Sequence, residues 1–468
     1  MNARATSVVI LGGGPGGYEA GLVAARLGAQ VTIVDRDGLG GAAVLTDCVP
    51  SKALIATADY MSEFETAADL GLHLEDAAGE DVTDASANLA EINARVMGLA
   101  GQQSEDITHR LEADGVRIIR GSGRLVSPTR VVAISSDGEE EVLDTDVVLV
   151  ATGATPRVMP TMEPDGERIL TWQQIYDLKS LPEHLIVVGS GVTGAELAQG
   201  FLGLGAKVTL VSSRERVLPA EDQDAAEVIE NVFRARGMTV LGRSRAAGAR
   251  NTGDGVIVKL EDGREIEGSH VLVAVGAVPQ TRGIGLEDIG VDLLESGHIV
   301  VDKVSRTSVR GVYAAGDCTG VFALASVSAM QGRIAMSHAL GDAVAPLRLG
   351  AVSANVFTDP EIATVGLQQK DAEGVTTIDQ VMMPLAMNPR AKMLGISEGF
   401  VKMFCSKGSG IVLGGVIVAP RASELIFPIA LAVQNRLSVD QVADTFTVYP
   451  SLSGTVAEAA RRLHQIAE

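Results

Sequence analysis

Two kinds of apolar pattern alternate through most of this chain. Short unbroken runs at 7–11, 31–34, 147–151, 185–188, 208–211 and 271–275 each stop at Gly, Asp, Ser or Thr. Runs of this length bounded by turn residues predict strands. Between them, residues 18–27, ended by Gly28, and a stretch running through Leu204 carry helix-like patterns. Leu89, Ile92, Val96, Leu99, Ile107 and Leu111 form a longer helical stripe that predicts one long core-facing helix. The C-terminal quarter changes character, with strands expected at 352–366, 400–404 and 411–418 and a helix at 423–435. Strand, helix, strand twice over and then a strand-rich segment predict an α/β protein: two Rossmann-like dinucleotide-binding units plus a C-terminal α+β domain.

Glycines mark where the first strand of each unit turns into its helix. Gly12, Gly14 and Gly17 follow the run 7–11, and the second strand of that unit stops at Asp35. A bare Gly-x-Gly-x-x-Gly is weak in a chain with 53 glycines. Strand, glycines, helix, strand and terminal acid in that order form a complete fingerprint. The glycines permit a tight turn and let the backbone approach a pyrophosphate at the helix N-terminus, while the acid takes ribose hydroxyls. Gly189, Gly191 and Gly194 repeat the pattern, so two dinucleotides are expected. Here the second strand ends in Ser212, Ser213 and Arg214. Ser and Arg can bind and neutralise a 2′-phosphate that a carboxylate would repel, which predicts that NADPH is accepted. The alternative makes Arg214 an ordinary solvated side chain. Thr152 with Gly153, Gly276, and Gly316 with Asp317 stand at further strand ends, where a cofactor contact and a plain turn both fit.

Composition narrows the classes. Thirty-eight basic residues against 59 acidic give a net charge of −21, which argues against a nucleic-acid or anionic-membrane surface. Cys48, Cys318 and Cys405 are too few and too scattered for a disulfide scaffold or a CxxC-type zinc site, so no metal is predicted and a reducing compartment fits. The N-terminal apolar run enters glycines too soon for a signal peptide, and the apolar stretch 425–433 contains Pro428 and falls far short of the roughly 20 residues of a membrane span. The expectation is a cytoplasmic protein with no membrane span. Met382, Met383, Met387 and Met393 read as adaptable core or interface packing.

Read in order, GGGPGGYEA, GG…CVPSKAL, ATGATPR, VVGSGVTGAE, YAAGD, FTDPEIATVG and GGVIVAPRASELI resemble the flavoprotein disulfide reductases, the family of lipoamide dehydrogenase, glutathione reductase and mercuric reductase. The resemblance covers nearly the whole chain. It implies an FAD-binding domain at 1–153, an NAD(P)H-binding domain at 154–280, a central domain completing the FAD site at 281–347 and a dimerisation domain at 348–468, with active sites shared across a homodimer. With the fingerprints, it implies FAD contacts at Gly12, Gly14, Gly17, Asp35, Gly41, Lys52, Thr152, Gly153, Gly316 and Asp317. The NAD(P)H contacts implied are Gly189, Gly191, Gly194, Ser213, Arg214 and Gly276.

The resemblance breaks at the redox centre. Family members carry one cysteine at the position of Ala43 and another at Cys48, and a His-Pro-x-x-x-Glu where this chain reads Tyr449-Pro-Ser-Leu-Ser-Gly454. No histidine lies between His338 and His464. Loss of the exchanging thiol, the imidazole and its carboxylate removes a dithiol relay, so lipoamide and glutathione reductase activities are not expected. Lys52 still matches the family lysine near flavin N5, and Glu196 matches its acid partner. NAD(P)H would then reduce FAD, and the electrons would leave directly to a quinone, as in the lipoamide-dehydrogenase-like NAD(P)H:quinone reductases that this chain resembles. Tyr449 would either pack on the acceptor in the former disulfide pocket or fill the space left by histidine. Three alternatives stand beside this reading: a single-cysteine NAD(P)H peroxidase or oxidase built on a Cys48 of lowered pKa at a helix start, a pyridine-nucleotide transhydrogenase, and a nucleotide-binding regulatory protein without turnover.

Overall fold

The computed structural model describes residues 4–67, 71–72 and 85–464. Its first sheet has seven strands in the order Val312–Ala314, Val147–Val150, Ser7–Leu11, Gln30–Asp35, Arg117–Ser127, Arg130–Ser135 and Glu140–Asp144. The first five run parallel and the last three form an antiparallel meander. Ser7–Leu11 lies between two parallel neighbours and buries Val8 to Leu11, which is why its apolar run is unbroken. Helix Pro15–Arg26 starts on a proline, whose missing N–H costs nothing in a first turn. It packs so closely on helix Ala325–Ala339 that a Cβ at Gly332 would lie 2.0 Å from the Gly16 carbonyl oxygen. Strand Val312–Ala314 and helix Ala325–Ala339 therefore join residues beyond 280 to the N-terminal layer.

The second sheet is fully parallel, in the order Thr239–Leu241, Lys207–Val211, His184–Val188, His270–Val273 and Ile169–Thr171. Two chain crossings tie it to the first. Ala154–Pro156 pairs antiparallel with Ala277–Pro279, and beside this ribbon Thr152 Oγ1 donates to the Gln280 carbonyl at 2.6 Å. The third layer is a five-stranded antiparallel sheet, Ser353–Val356, Glu361–Gly366, Val412–Ala419, Phe400–Ser406 and Ile378–Pro384.

Three departures from the sequence pattern have physical causes. The helix expected over 423–435 is two pieces, Ala422–Leu425 and Phe427–Asn435, because Pro428 lacks the N–H that a continuous helix needs. In helix Leu89–Ala113 the buried stripe runs through Leu89, Asn93, Val96, Ala100, Ile107 and Leu111, leaving Leu99 exposed. Asn93 holds its buried place by donating to the Leu178 carbonyl at 2.9 Å. The three-stranded ribbon Ala246–Asn251, Val256–Leu260 and Glu265–Gly268 has too many polar and exposed positions for the apolar runs to mark it.

One buried ionic cluster locks the third layer to the second. Lys402, 3% exposed in the middle of strand Phe400–Ser406, donates to both oxygens of Asp222 at 2.8 and 2.9 Å, to Asp224 at 2.6 Å and to Gln369 at 2.7 Å. Asp222 also caps helix Gln223–Ala235, accepting the N–H groups of Asp224 and Ala225. Four acceptor atoms on three side chains offset the cost of burying the ammonium.

Candidate functional site

Both glycine turns have the same build. Gly12 has φ +102° and Gly189 has φ +116°, and a side chain on either would run into the carbonyl of a neighbouring strand end, Ala151 or Ala274. A Cβ on Gly17 would sit 1.9 Å from the Gly12 carbonyl oxygen, and one on Gly194 equally close to that of Gly189. Helix and turn are thus in backbone contact, as phosphate approach requires. The middle glycines face open space instead: a Cβ on Gly14 meets nothing nearer than 4.0 Å, and one on Gly191 nothing within 4 Å. Gly41 lies directly against Gly14, where its own Cβ would come within 2.8 Å of the Gly14 Cα.

Asp35 closes the first turn. Its Oδ2 accepts from Gly13 N–H at 2.6 Å, and its Oδ1 from the N–H groups of Asp37 and Gly38 at 3.0 and 2.6 Å. Three of about four carboxylate acceptor sites are used, which leaves room for a ribose hydroxyl. In the second unit Ser212 is buried and bonds Ser190 Oγ at 2.7 Å, while Ser213 and Arg214 are exposed beyond the strand end. Gly153 and Gly276 adopt φ of +68° and +98° with no atom near a would-be side chain. Gly316, φ +84°, is held by Gln331, which accepts its N–H at 2.8 Å, and Asp317 opens the turn that follows. Burial pushes the Asp317 carboxyl above its ordinary value against the opposing pull of His298. Open phosphate turns, a spare ribose acceptor and two strand-end turns fit FAD at the first unit and NAD(P)H at the second.

Between the two units Lys52 Nζ lies 2.7 Å from Glu196 Oε2. Lys52 comes from helix Cys48–Thr66 and Glu196, 2% exposed, from helix Val192–Gly203. The other oxygen of Glu196 accepts the Phe357 N–H at 2.8 Å, and the Phe357 ring lies under the ammonium, its centroid 5.1 Å from Nζ. One turn further along the same helix Gln199 accepts the Asp359 N–H at 2.9 Å. Burial opposes the Lys52 charge, but Glu196, with smaller help from Cys48 and Asp47, overcomes it and leaves the ammonium stabilised. A fixed cation here favours negative charge on whatever lies beside it. FAD, when bound, supplies an acceptor for hydride and a store for two electrons. The protein's part is to hold that cation in place.

Cys48 overturns one expectation. Its thiol is pushed up to about 11, first by burial and then by the Asp47 charge, with Lys52 opposing only in part. A lowered pKa, on which the single-cysteine peroxidase reading rested, is absent, because the helix start that favours a thiolate is outweighed by desolvation. Cys318 and Cys405 are also free, buried and raised to about 11. Among the described residues no group of three or more His, Cys, Asp or Glu is arranged to hold a metal ion.

Tyr449 is not packed into the protein. It is 84% exposed, beside Val448 and Phe446, and Met387, Met393 and Phe427 are also exposed. Of the four methionines in that region only Met383 is buried. Phe357 and Asp47 adjoin the lysine, Tyr176 stands near Asp47 and Glu196, and Gln199 holds the segment after Phe357; none of them drew a role from the sequence. For Asp47 the only signal was adjacency to Cys48, whereas Phe357 opens the FTDPEIATVG motif without having been assigned a role. Among the described residues no helix is long and apolar enough to cross a membrane.

Residues 6–332 match the family model for pyridine nucleotide-disulphide oxidoreductases, and residues 352–460 match that for the dimerisation domain of the same family. The chain is 54% identical over 468 residues to an NAD(P)H dehydrogenase (quinone) of Mycobacterium tuberculosis, covering 98% of this chain and 94% of the relative. It is 34% identical to a dihydrolipoyl dehydrogenase of Chlorobaculum parvum over 97% of this chain and 96% of that one. The crystal structure of LpdA from Mycobacterium tuberculosis superposes with a TM-score of 0.93 at 53% identity, covering 98% of this chain and all of the other. The chain belongs to the pyridine nucleotide-disulphide oxidoreductase family and is a flavoprotein oxidoreductase of the kind that uses FAD and NAD(P)H.

Proposed function

We propose that this protein is an NAD(P)H:quinone oxidoreductase that passes electrons through FAD directly to a quinone, without a redox disulfide. The observation that carries the reading is a contrast at one site. The Lys52–Glu196 pair is built, with Glu196 buried and Lys52 mostly covered, whereas the position that would hold an exchanging thiol is Ala43 and the remaining thiol, Cys48, is held protonated. Electrons entering here have no thiolate relay to leave by. The similarity to a relative named for quinone reduction supports the same conclusion.

In this reading residues 1–153 and 281–347 hold FAD, residues 154–280 hold NAD(P)H, and residues 348–468 form a homodimer. Gly12, Gly14, Gly17, Asp35, Gly41, Thr152, Gly153, Gly316 and Asp317 bind FAD. Gly189, Gly191, Gly194, Gly276, Ser213 and Arg214 bind NAD(P)H, the last two at the 2′-phosphate. The exposed apolar side chains around Phe446 form the interface, and Tyr449 of the partner subunit covers the acceptor pocket.

The test is an acceptor panel run on the purified flavoprotein and on Cys48→Ser: NADPH and NADH oxidation with a naphthoquinone, a benzoquinone, lipoamide, peroxide and no acceptor. Quinone reduction that survives Cys48→Ser is the expected result. Turnover of lipoamide, or loss of quinone reduction with the cysteine, would sink the proposal.

A further inference from the structure

Quinone reduction consumes two electrons and two protons, and NAD(P)H delivers two electrons with one proton. One proton is therefore owed by the protein. The groups that relatives use are gone, since no histidine lies between His338 and His464.

We propose that Asp47 is the proton donor to the quinone, supplied from the same chain as Lys52. This inference rests on the quinone reading above. Its position carries the argument. Asp47 sits at the junction between the short helix Gly41–Leu45, which abuts the first glycine turn, and helix Cys48–Thr66, which carries Lys52. It occupies the N-cap position of the second helix, yet its side chain makes no capping bond. An aspartate in that place normally turns back to accept a helix N–H, so this carboxyl is left free for another role. Around it stand Lys52 and Cys48 from its own helix, Glu196 from helix Val192–Gly203, Asp317 from the turn after strand Val312–Ala314, and Tyr176 from the turn Ile175–Asp177. Asp47 itself is partly exposed.

The environment also suits the chemistry. Burial pushes the Asp47 carboxyl up to about 6, with Glu196 and Asp317 adding to the effect and Lys52 opposing it. A donor is most effective when its pKa lies near the working pH. Its neighbours do not meet that condition: Cys48 is raised to about 11, Tyr176 is buried and raised well above 10, and Lys52 is committed to Glu196. The step balances. The quinone takes a hydride equivalent, two electrons and one proton that originate in NAD(P)H, to give the quinol monoanion. Asp47 then loses its carboxyl proton to that oxygen, giving the quinol and a carboxylate that water reprotonates.

The experiment compares the FAD-loaded wild type with Asp47→Asn on a benzoquinone and on ferricyanide, which accepts electrons without protons, across about pH 5 to 8. The donor is the protonated form, so the wild-type quinone rate falls as pH rises through about 6. In D47N the ratio of quinone to ferricyanide rate drops about tenfold or more and loses its pH dependence. A readout independent of turnover accompanies it: the infrared difference between the two resting proteins shows a carboxylic acid band that titrates near pH 6. Should D47N not retain FAD, Asp47→Glu keeps an acid at altered reach and is expected to shift the profile and not abolish it. Equal quinone to ferricyanide ratios and equal profiles in wild type and variant would overturn the assignment and leave the quinone reading standing. A wild type that reduces ferricyanide but no quinone would overturn both.

Discussion

Glu196 divides its carboxylate between two distant parts of the chain, holding the Lys52 ammonium at 2.7 Å with one oxygen and the Phe357 N–H at 2.8 Å with the other. Glu196→Gln keeps an acceptor for Phe357 and removes the charge that sustains Lys52. Because Lys52 keeps a quarter of its side chain in solvent, the stability loss should be about 2 kcal/mol, below that of a fully buried broken pair. The larger effect is kinetic: reduction of bound FAD by NADPH, followed by rapid mixing, is expected to slow about tenfold or more.

Lys402 makes a second prediction, about stability alone. Lys402→Met leaves Asp222, whose side chain is fully buried, without its cation. Breaking such a pair should cost about 3–5 kcal/mol. The double variant K402M/D222N removes the stranded charge as well and should recover part of the loss. Denaturant unfolding of the four proteins gives the coupling, and additive losses would show that the cluster is not a unit.

Asp59 predicts a stabilising substitution. Its carboxyl is raised to about 7 by burial and by Asp359, with smaller contributions from Glu361 and Glu63 and an opposing one from Arg236. A carboxyl raised on folding contributes stability that is complete below its unfolded value near 4 and is lost as pH rises through about 7. Asp59→Asn should therefore match the wild type near pH 4 and exceed it at pH 8, by on the order of 1–2 kcal/mol after solvent screening. Thermal unfolding at the two pH values decides it, and a constant offset would count against the assignment.

The proposed contact of Arg214 with a 2′-phosphate makes a prediction about coenzyme choice. Arg214 is exposed at the end of the second unit's strand, with Ser212 beneath it already engaged by Ser190. Arg214→Ala is expected to raise the KM for NADPH about tenfold, the value of one charge-assisted contact in a wet site, and to leave that for NADH nearly unchanged. Equal effects on both coenzymes would return Arg214 to the solvated surface.

Strands buried on both faces and glycines in backbone contact are legible in the sequence because each leaves a local mark, an apolar run or a residue without Cβ. The strand Ser7–Leu11 and the contact of Gly17 with Gly12 were readable for that reason. Groups whose role depends on desolvation leave no such mark. Lys402 differs from a surface lysine only in that all six residues Phe400 to Cys405 are buried. Asp47 differs from a turn aspartate only in its neighbours, which arrive from residues 176, 196 and 317. The same blindness produced the one reversal at the site, where helix-start reasoning favoured a thiolate at Cys48 and burial by distant segments prevents it.

The lysine that holds the redox site's charge waits a long time for its partners during synthesis. Glu196 emerges 144 residues after Lys52, and Phe357, which orients Glu196, another 161 residues later. A ribosome-bound chain that has completed both dinucleotide turns still lacks the backbone amide that fixes the carboxylate. The backbone contacts of the two glycine turns are complete once residues 151 and 274 have emerged, whereas the carboxylate beside Lys52 is fixed only after residue 357.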